Sequence, residues 1–330
     1  MKAIAITARD KVELIDKQKP QLRPKELLIK IKTAALNHRD QWIRQGMYPG
    51  IEYGVTLGSD GFGVVEEVGS EVKGEWIGKE VLINPNIGWG EESSYQASDY
   101  SILGMPKDGT FAEYVAVSED RIHLAIHGLK SEEQAAIPLA GLTAYRALFT
   151  HGKLSNKQNV LITGIGGGVA QFAFQFGKSV SDQVYVTSGS IEKLDKVKST
   201  GASGGFNYKT EDWHKIALKE VGGFNLIIDS TGGSLFSKYI DLIKPGGKIV
   251  FYGASAGMPE KVDLFKIFWK QATLQGSTMG NDEEFADMLQ FVKSHNIKPV
   301  IDNVYAPEDW KSAFDRMKEG KQLGKIVLKF

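Results

Sequence analysis

The sequence of 330 residues contains no cysteine. A chain without cysteine forms no disulfide, offers no thiolate nucleophile and builds no structural zinc site of the cysteine-rich kind. It also lacks an excess of either charge, since 40 Lys and Arg residues balance 40 Asp and Glu residues. That balance removes the electrostatic footprint expected of a nucleic-acid binder or of a protein that docks on an anionic membrane.

Long apolar segments are missing as well. The amino-terminal stretch reaches Arg9 and Asp10 too early for a secretory signal, and the most apolar run, residues 160–176, is interrupted by polar residues and glycines. We therefore expect a soluble, cytoplasmic protein with neither nucleic-acid nor membrane partners. Glycine, in contrast, is abundant at 37 residues. This abundance predicts tight turns and places where the backbone approaches a ligand closely.

The first part of the chain, residues 1–125, has the pattern of a β-rich domain. Short segments of alternating apolar residues are separated by Gly, Pro, Asn and Asp, which is typical of strands with one buried face. The segments are residues 2–7, 11–15, 26–35, 61–68, 80–83 and 112–117. One helix is predicted over 37–45, ended by Gly46. The long polar stretch 84–108 predicts a lobe or an active-site loop.

The second part, residues 126–280, alternates short apolar strands with helical segments of ten to twelve residues. This pattern predicts a doubly wound α/β domain with a parallel sheet. The remaining residues, 281–330, return to helices and short strands, and we expect them to complete the first domain.

A glycine-rich segment at 164–168 follows a predicted strand and opens a predicted helix. In that context Gly164 permits a tight turn, and Gly166 and Gly167 let backbone N–H groups approach a pyrophosphate. The small Ala170 lets the helix pack close to the strand, and the positive end of the helix dipole adds to the site. The segment predicts a dinucleotide site rather than a flexible turn without a ligand.

The end of the next strand indicates which dinucleotide is bound. NAD sites usually carry an acidic residue there, whereas this chain has Ser188, Ser190 and Lys193. Hydroxyl donors and a cation suit a 2′-phosphate, which an acid would repel. We therefore predict NADPH. The alternative is that Ser190 is a helix N-cap and that Lys193 is a solvated lysine.

Several motifs, taken in order along nearly the whole chain, resemble the medium-chain dehydrogenase/reductase superfamily. They are residues 37–40 (Asn-His-Arg-Asp), the glycine-spaced 58–69, 138–144, 163–170, 207–209 (Asn-Tyr-Lys) and 324–328 (Gly-Lys-Ile-Val-Leu). The resemblance implies a GroES-like β-rich catalytic domain and a Rossmann cofactor domain.

The chain departs from this resemblance at the metal ligands. In the zinc alcohol dehydrogenases of the superfamily, the positions of Asn37, Ser59 and a residue within 140–143 hold a catalytic zinc, and the segment matching 84–108 holds a second zinc through four cysteines. None of these ligands is retained. The chain therefore resembles the zinc-free branch of quinone reductases and enone reductases, and we expect no metal.

Hydride transfer without a metal favours a substrate that delocalises the negative charge it receives. A quinone or an α,β-unsaturated carbonyl does so, and a few preorganised donors then suffice. The candidate pocket residues for this small electrophilic substrate are Asn37, Asp40, Tyr48, Ser59 and Asp60. Asn37 is predicted to orient the substrate or the nicotinamide, and Tyr48 to donate a hydrogen bond or a proton. The alternatives are a capping or supporting role for each, and a pocket wall for Tyr48.

The cofactor residues follow from the resemblance and from strand ends. Beside the glycine segment, which includes Gly166 and Gly168, they are Thr143, Val169, Ser188, Ser190, Lys193, Tyr208, Ser230, Gly253 and Lys325. Tyr208 resembles the family tyrosine at the 2′-phosphate, its alternative being a surface tyrosine. Lys325 could equally be an ordinary strand lysine.

The aromatic run 264–269 is too apolar for a solvated surface. In the superfamily this region borders the contact between subunits, so we predict a homodimer; the alternative is core within the domain. For the function itself two alternatives stay open. One is an NADPH-dependent aldehyde or alcohol oxidoreductase, and the other is a nucleotide-binding regulatory or structural protein without turnover.

Overall fold

The computed structural model describes all 330 residues, and they form two compact units. The first unit combines Met1–Ala140 with Gly280–Phe330, and the second is Gly141–Met279. None of the helices has both the length and the apolar character that crossing a membrane requires.

The helices and strands have the following bounds. The helices are α1 (His38–Arg44), α2 (Ser131–Ala136), α3 (Pro138–Tyr145), α4 (Gly168–Lys178), α5 (Ile191–Ser199), α6 (Trp213–Val221), α7 (Phe236–Leu242), α8 (Leu264–Lys270), α9 (Asp282–Ser294) and α10 (Trp310–Lys318). The strands are β1 (Lys2–Ala8), β2 (Lys11–Asp16), β3 (Glu26–Ala35), β4 (Asp60–Val68), β5 (Glu80–Ile83), β6 (Asn86–Ile87), β7 (Ser101–Ile102), β8 (Tyr114–Ser118), β9 (Ile122–Leu124), β10 (Val160–Ile162), β11 (Val184–Ser188), β12 (Gly204–Asn207), β13 (Phe224–Asp229), β14 (Ile243–Phe251), β15 (Thr273–Gly276), β16 (Ile301–Tyr305) and β17 (Lys325–Lys329).

The first unit is built on a seven-stranded sheet. Its order is β16-β17-β3-β4-β5-β9, with β8 paired to β3. The central strand β3 pairs antiparallel with β4, β8 and β17, so strands from both ends of the chain meet on it. Two small sheets, β1-β2 and β6-β7, complete the unit. The register on β3 decides which side chains meet at the candidate site.

The second unit is a six-stranded, wholly parallel sheet in the order β12-β11-β10-β13-β14-β15. The chain order reverses direction between β10 and β13. In doubly wound sheets a ligand binds at such a switch point, beyond the carboxyl ends of the strands. The GroES-like and Rossmann fold class predicted from the sequence is confirmed.

The unit boundary lies later than the predicted change at residue 125. Helix α2 belongs to the first unit because Thr33 Oγ1 donates to the Ser131 carbonyl at 2.7 Å, and Lys329 pairs with Glu132 at 3.0 Å. These contacts tie residues that follow 125 to strands β3 and β17.

Three helices, α2, α3 and α8, were not predicted from the sequence. Helix α3 is small and apolar, and all of it except Tyr145 is buried, so it shows no amphipathic period; a π-helical turn, Arg146–His151, continues it. Helix α8 carries the aromatic run and was not predicted as a helix. The segment 84–108, which was predicted to be a lobe or an active-site loop, contains the short antiparallel ladder β6-β7.

Candidate active site and nucleotide-binding loops

Helix α1 is preceded by Asn37, which is its N-cap residue. Asn37 precedes the helix with extended backbone (φ −126°, ψ 156°), and its backbone N–H donates to Asp40 Oδ2 at 2.8 Å. Asn37 at the N-cap and Asp40 at the third helical position therefore form a capping box. The Asn37 side chain also contacts Asp60 and Lys325 on two other strands.

Asn37, Asp60 and Lys325 form a buried cluster at the carboxyl end of β3. Lys325 Nζ donates to Asn37 Oδ1 at 2.6 Å and to Asp60 Oδ2 at 2.8 Å. Asn37 Nδ2 donates to the same Asp60 oxygen at 2.9 Å. All three residues are at most 7% exposed. The cluster brings an amide, a carboxylate and an ammonium into mutual contact.

The sheet register explains why these residues meet. Strand β17 pairs with β3 so that Val327 faces Ala35, which brings Lys325 opposite Asn37. Strand β4 pairs with β3 so that Asp60 faces Ala35 from the other side. The ion pair is therefore fixed by backbone pairing that links distant parts of the chain.

The cluster leaves little of Asn37 and Asp60 for a ligand. Asp60 Oδ1 accepts the Leu139 backbone N–H at 2.8 Å, and Oδ2 accepts both Asn37 and Lys325. The Asn37 side-chain oxygen accepts a hydrogen bond from Lys325, and its nitrogen donates one to Asp60. In the structure these side chains organise one another. The predicted direct contact of Asn37 with a substrate stays a prediction.

A second buried cation, Arg39, joins two of the predicted pocket hydroxyls. Arg39 Nη1 donates to Ser59 Oγ at 2.6 Å and to the Leu103 carbonyl at 2.8 Å. Its Nε and Nη2 lie 3.4 and 3.3 Å from Tyr48 Oη, and the guanidinium carbon stands 4.9 Å from the centre of the Tyr48 ring. Because Arg39 occupies oxygen lone pairs, both hydroxyl hydrogens are free to donate elsewhere. The sequence reasoning gave Arg39 no role at the site.

Asp40 is fully buried, and burial raises its pKa to about 6. The neighbouring Arg39, the Asn37 N–H and Lys325 act in the opposite direction, while Asp60 raises the pKa further. One oxygen, Oδ1, has no hydrogen-bond partner. Asp40 therefore caps the helix in an environment that disfavours its charged form.

Replacing Asp40 with asparagine should remove this cost. The folded carboxyl keeps its proton to about pH 6, whereas the unfolded one loses it near its ordinary 3.8, so wild-type stability falls as the pH rises between these values. One pKa unit corresponds to about 1.4 kcal/mol. The free energy of unfolding of Asp40→Asn, relative to that of the wild type, should therefore be ~2–3 kcal/mol higher at pH 7 than at pH 4. Urea unfolding across this range measures the difference. If the difference in the free energy of unfolding between the two proteins does not change with pH, the raised pKa of Asp40 is contradicted.

In the second unit the glycine turn closes on the loop that follows β13. Gly164 has φ +62°, and a Cβ at that position would lie 3.1 Å from Ser230 Oγ and 3.2 Å from Thr231 Cγ2. The Ile165 N–H donates to the Thr187 carbonyl at 3.0 Å, which holds the turn against β11. The backbone conformation therefore favours glycine at position 164, and a Cβ there would fit only tightly.

Helix α4 begins directly after this turn, at Gly168. Its N-cap is Gly167, and residues 166–169 are partly exposed while Ala170 is fully buried. The first N–H groups of a helix have no partner within the helix, so they can bind an anion. The geometry suits a pyrophosphate, with Ala170 allowing the close packing that the sequence predicted.

Asp229, at the end of β13, organises both loops at the switch point. Its Oδ1 accepts Thr163 Oγ1 at 2.6 Å and the Thr231 N–H at 3.0 Å, and its Oδ2 accepts the Gly232 N–H at 3.0 Å. Thr163 Oγ1 also accepts the Ser230 N–H at 3.2 Å. The sequence reasoning missed Asp229 and Thr163 as supporting residues. Polar residues that end two neighbouring parallel strands were the available signal.

The predicted cofactor residues at the end of β11 lie close together. Ser188 Oγ accepts the Ser190 N–H at 3.1 Å, and Ser190 Oγ accepts the Lys193 N–H at 3.3 Å as the N-cap of α5. Strand β12 runs beside β11 and brings Tyr208 next to this turn, with its N–H on the Ser188 carbonyl at 3.2 Å. Ser190 is thus the N-cap of α5, as the alternative prediction for this residue stated.

Gly189 leaves room for two side chains that reach this turn. A Cβ at Gly189 would lie 2.8 Å from Tyr208 Oη and 2.8 Å from Lys209 Cε. Tyr208 and Lys209 therefore lie directly over the turn, and the sequence reasoning had not assigned Lys209. The turn offers hydroxyl groups and cations.

The remaining predicted cofactor residues do not lie at the turn after β11. A Cβ at Gly253 would lie 3.2 Å from the Ser230 carbonyl, so this glycine belongs to the switch-point loops. Thr143 lies on α3, where its Oγ1 is 3.8 Å from Met279 Sδ. Lys325 lies in the first unit, where its ammonium contacts Asn37 and Asp60 rather than any group of the glycine turn.

No three His, Asp or Glu side chains lie close enough together to hold a metal ion. The described sites consist of two turns in the second unit, one before α4 and one after β11, and a charged, hydrogen-bonded cluster in the first unit. These features, on a GroES-like fold and a Rossmann fold, define a nucleotide-dependent oxidoreductase.

Comparisons with known proteins agree with this class. Residues 23–127 match the family described as alcohol dehydrogenase GroES-like domain, and residues 164–294 match the family described as zinc-binding dehydrogenase. The chain belongs to the medium-chain dehydrogenase/reductase superfamily.

Three relatives illustrate the range of the superfamily. A zinc-type alcohol dehydrogenase-like protein YogA from Leptosphaeria maculans is 37% identical, with 94% of this chain and 92% of that protein covered. A crystal structure of an NAD-dependent alcohol dehydrogenase is 34% identical, with a TM-score of 0.95 and 100% of both chains covered. An acryloyl-coenzyme A reductase from Sulfurisphaera tokodaii is 27% identical, with 100% of both chains covered.

Proposed function

We propose that this protein is a zinc-independent, NADPH-dependent reductase that transfers a hydride to a quinone or an α,β-unsaturated carbonyl. The observation that carries the proposal is the Asn37–Asp60–Lys325 cluster, where the Lys325 ammonium contacts Asn37, one of the superfamily's metal-ligand positions. The printed name of the acryloyl-coenzyme A reductase describes an unsaturated thioester substrate for that relative. This supports a conjugated acceptor here.

The residues of the first unit do not fit zinc. Zinc in proteins is held by thiolate, imidazole and carboxylate groups. The superfamily's ligand positions carry the Asn37 amide and the Ser59 hydroxyl here, and Ser59 Oγ already accepts a hydrogen bond from Arg39 Nη1 at 2.6 Å. A dication would also be repelled by the Lys325 ammonium, 2.6 Å from Asn37 Oδ1. The proposed reaction therefore takes no step through a metal.

The preference for NADPH rests on the turn after β11. Its hydroxyl groups at Ser188 and Tyr208 and the cations Lys193 and Lys209 suit a 2′-phosphate, and no carboxylate ends the strand. The crystal structure at 34% identity carries the name NAD-dependent. The proposal therefore predicts that this chain differs from that relative in cofactor choice.

When bound, NADPH supplies the hydride. The chain's own residues then stabilise the charge that develops on the acceptor oxygen. A conjugated acceptor spreads this charge, so hydrogen-bond donors can replace a Lewis acid. Tyr48, partly exposed and with its oxygen on Arg39, is the candidate donor of the proton that the reduced product takes up.

The test is NADPH oxidation against a panel of quinones, enones, aldehydes and alcohols, with NADH in parallel and zinc content measured on the same sample. We expect turnover with quinones or enones, a preference for NADPH and substoichiometric zinc. Zinc-dependent oxidation of alcohols would instead establish the alcohol dehydrogenase alternative. Tight NADPH binding with no turnover across the panel would favour a nucleotide-binding protein without catalysis.

The homodimer also remains a proposal. Helix α8 exposes Leu264, Phe265, Phe268 and Trp269, each by at least 62%, and β15 is an edge strand of the parallel sheet. A row of exposed aromatic side chains beside an unpaired edge is typical of a contact between copies. Sedimentation velocity at micromolar concentration checks it, and a monomeric sedimentation coefficient would contradict it.

A further inference from the structure

The Lys325 ammonium has one hydrogen-bond donor left over. A lysine ammonium carries three N–H groups. Two of them are taken by Asn37 Oδ1 and Asp60 Oδ2. The residue is only 3% exposed, so its third N–H has little access to bulk water. A buried cation with a spare donor is suited to bind an acceptor atom that enters the site.

The other members of the cluster cannot supply this donor. The Asn37 amide nitrogen donates to Asp60 at 2.9 Å and to the Ala35 carbonyl at 3.4 Å. Asp60 has only acceptor oxygens, and both are occupied. The carboxylate balances the ammonium charge, so the pair can stay buried in its ionised form. Lys325 is therefore the remaining cationic donor of the cluster.

The backbone fixes the position of this lysine. Gly324 has φ +101°, and a Cβ there would lie 2.2 Å from the Val300 carbonyl oxygen, so only glycine fits. The Lys325 N–H donates to the same carbonyl at 2.9 Å, and Leu36 N–H bonds to the Ile326 carbonyl at 2.9 Å. The lysine stem is held at the first position of β17. A preorganised donor of this kind needs no rearrangement during a reaction.

We propose that Lys325 is a catalytic residue that donates its third N–H to the acceptor oxygen on which negative charge develops. The inference rests on the proposed function. The acceptor gains a hydride at its β-carbon, its C=C electron pair shifts to form an enolate, and the cofactor leaves oxidised. Lys325 stabilises the enolate oxygen and keeps its proton, and a proton from solvent or Tyr48 then completes the saturated carbonyl. A side-chain cation thus takes the place of a Lewis acid.

The decisive variant is Lys325→Met, measured for kcat and for NADPH affinity by nucleotide fluorescence. We expect kcat to fall about 100-fold while the Kd for NADPH stays within about twofold, and methylammonium to restore part of the lost rate. Lys325→Arg should retain more activity than Lys325→Met. The matched control is Lys329→Met, an exposed lysine of the same strand, which should leave kcat unchanged.

Two results with Lys325→Met would overturn the proposal. One is an unchanged kcat in Lys325→Met. The other is weakened NADPH binding with a normal kcat at saturation, which would return Lys325 to the cofactor role that its sequence position suggested. Because Lys325→Met leaves Asp60 buried without a partner, the charge-neutral Asp60→Asn/Lys325→Met variant is measured beside it. A folded double variant with normal kcat would also contradict the proposal.

A binding probe separates this inference from the proposed function. With NADP⁺ present, 4-nitrophenol should ionise at a pH about one unit lower in the wild type than in Lys325→Met, because the ammonium stabilises the phenolate. If the wild type shows this shift yet reduces no quinone or enone, the proposed function fails and the oxyanion site stands. If the wild type turns over normally and Lys325→Met changes neither kcat nor the probe, the inference alone fails.

Discussion

Asp60→Ala should lower the free energy of unfolding by about 3–5 kcal/mol, the largest stability effect we expect from a single substitution in this cluster. The variant leaves the Lys325 ammonium, whose side chain is 4% exposed, without its carboxylate. It also removes the acceptor of the Leu139 N–H. Breaking one side of a buried pair costs more than the pair itself contributes, because the remaining charge stays in a medium of low dielectric constant.

Urea unfolding at pH 7, followed by tryptophan fluorescence, measures this effect. The control Lys329→Met breaks the exposed pair with Glu132 and should cost less than about 1 kcal/mol. Asp60→Asn/Lys325→Met removes both charges and should recover most of the loss. If Asp60→Ala lowers the free energy of unfolding no more than Lys329→Met does, the Asp60–Lys325 pair does not behave as a buried ion pair.

Ser188→Asp should reverse the choice of cofactor. The substitution places a carboxylate at the end of β11, where it would repel a 2′-phosphate and accept hydrogen bonds from a free ribose. We expect kcat/KM for NADPH to fall about 100-fold, equivalent to ~3 kcal/mol of binding in the transition state, while kcat/KM for NADH is kept or rises. Steady-state kinetics with both nucleotides on one acceptor measures the ratio.

Ser199→Asp is the matched control for this change. It adds the same charge at the end of α5, where the Ser199 hydroxyl bonds only to the Lys196 carbonyl. The ratio of NADPH to NADH efficiency should then stay at its wild-type value. Equal losses of kcat/KM with both nucleotides in Ser188→Asp would indicate damage to the turn. If neither kcat/KM value changes, the 2′-phosphate does not bind at this turn.

The sequence predicted those parts of the fold that depend on local patterns. Alternating residues gave β3 at 26–35 and β5 at 80–83 with their observed bounds, and the strand–glycine–helix pattern gave the turn before α4. Helix α3 was missed because its residues are almost all small or apolar, which leaves no period to detect. The second domain was predicted to begin at 126, before α2, because no local pattern shows that this helix bonds to β3.

The candidate site was harder to predict because it depends on pairing between distant strands. The motif resemblance pointed to Asn37 and Asp60, but it assigned Lys325 to the cofactor. Only the register of β17 on β3 reveals that the lysine faces these two residues. Arg39 was overlooked for a related reason, since most of its acceptors are backbone carbonyls, which have no signature in a sequence.

The distance along the chain between the members of the cluster has a consequence for biosynthesis. Asn37 and Lys325 are 288 residues apart, and the whole second unit is translated between them. While the ribosome is still making that unit, Asp60 has no counter-ion, and the nascent first sheet lacks β17. We therefore expect the amino-terminal half to need chaperone protection until the last strand emerges.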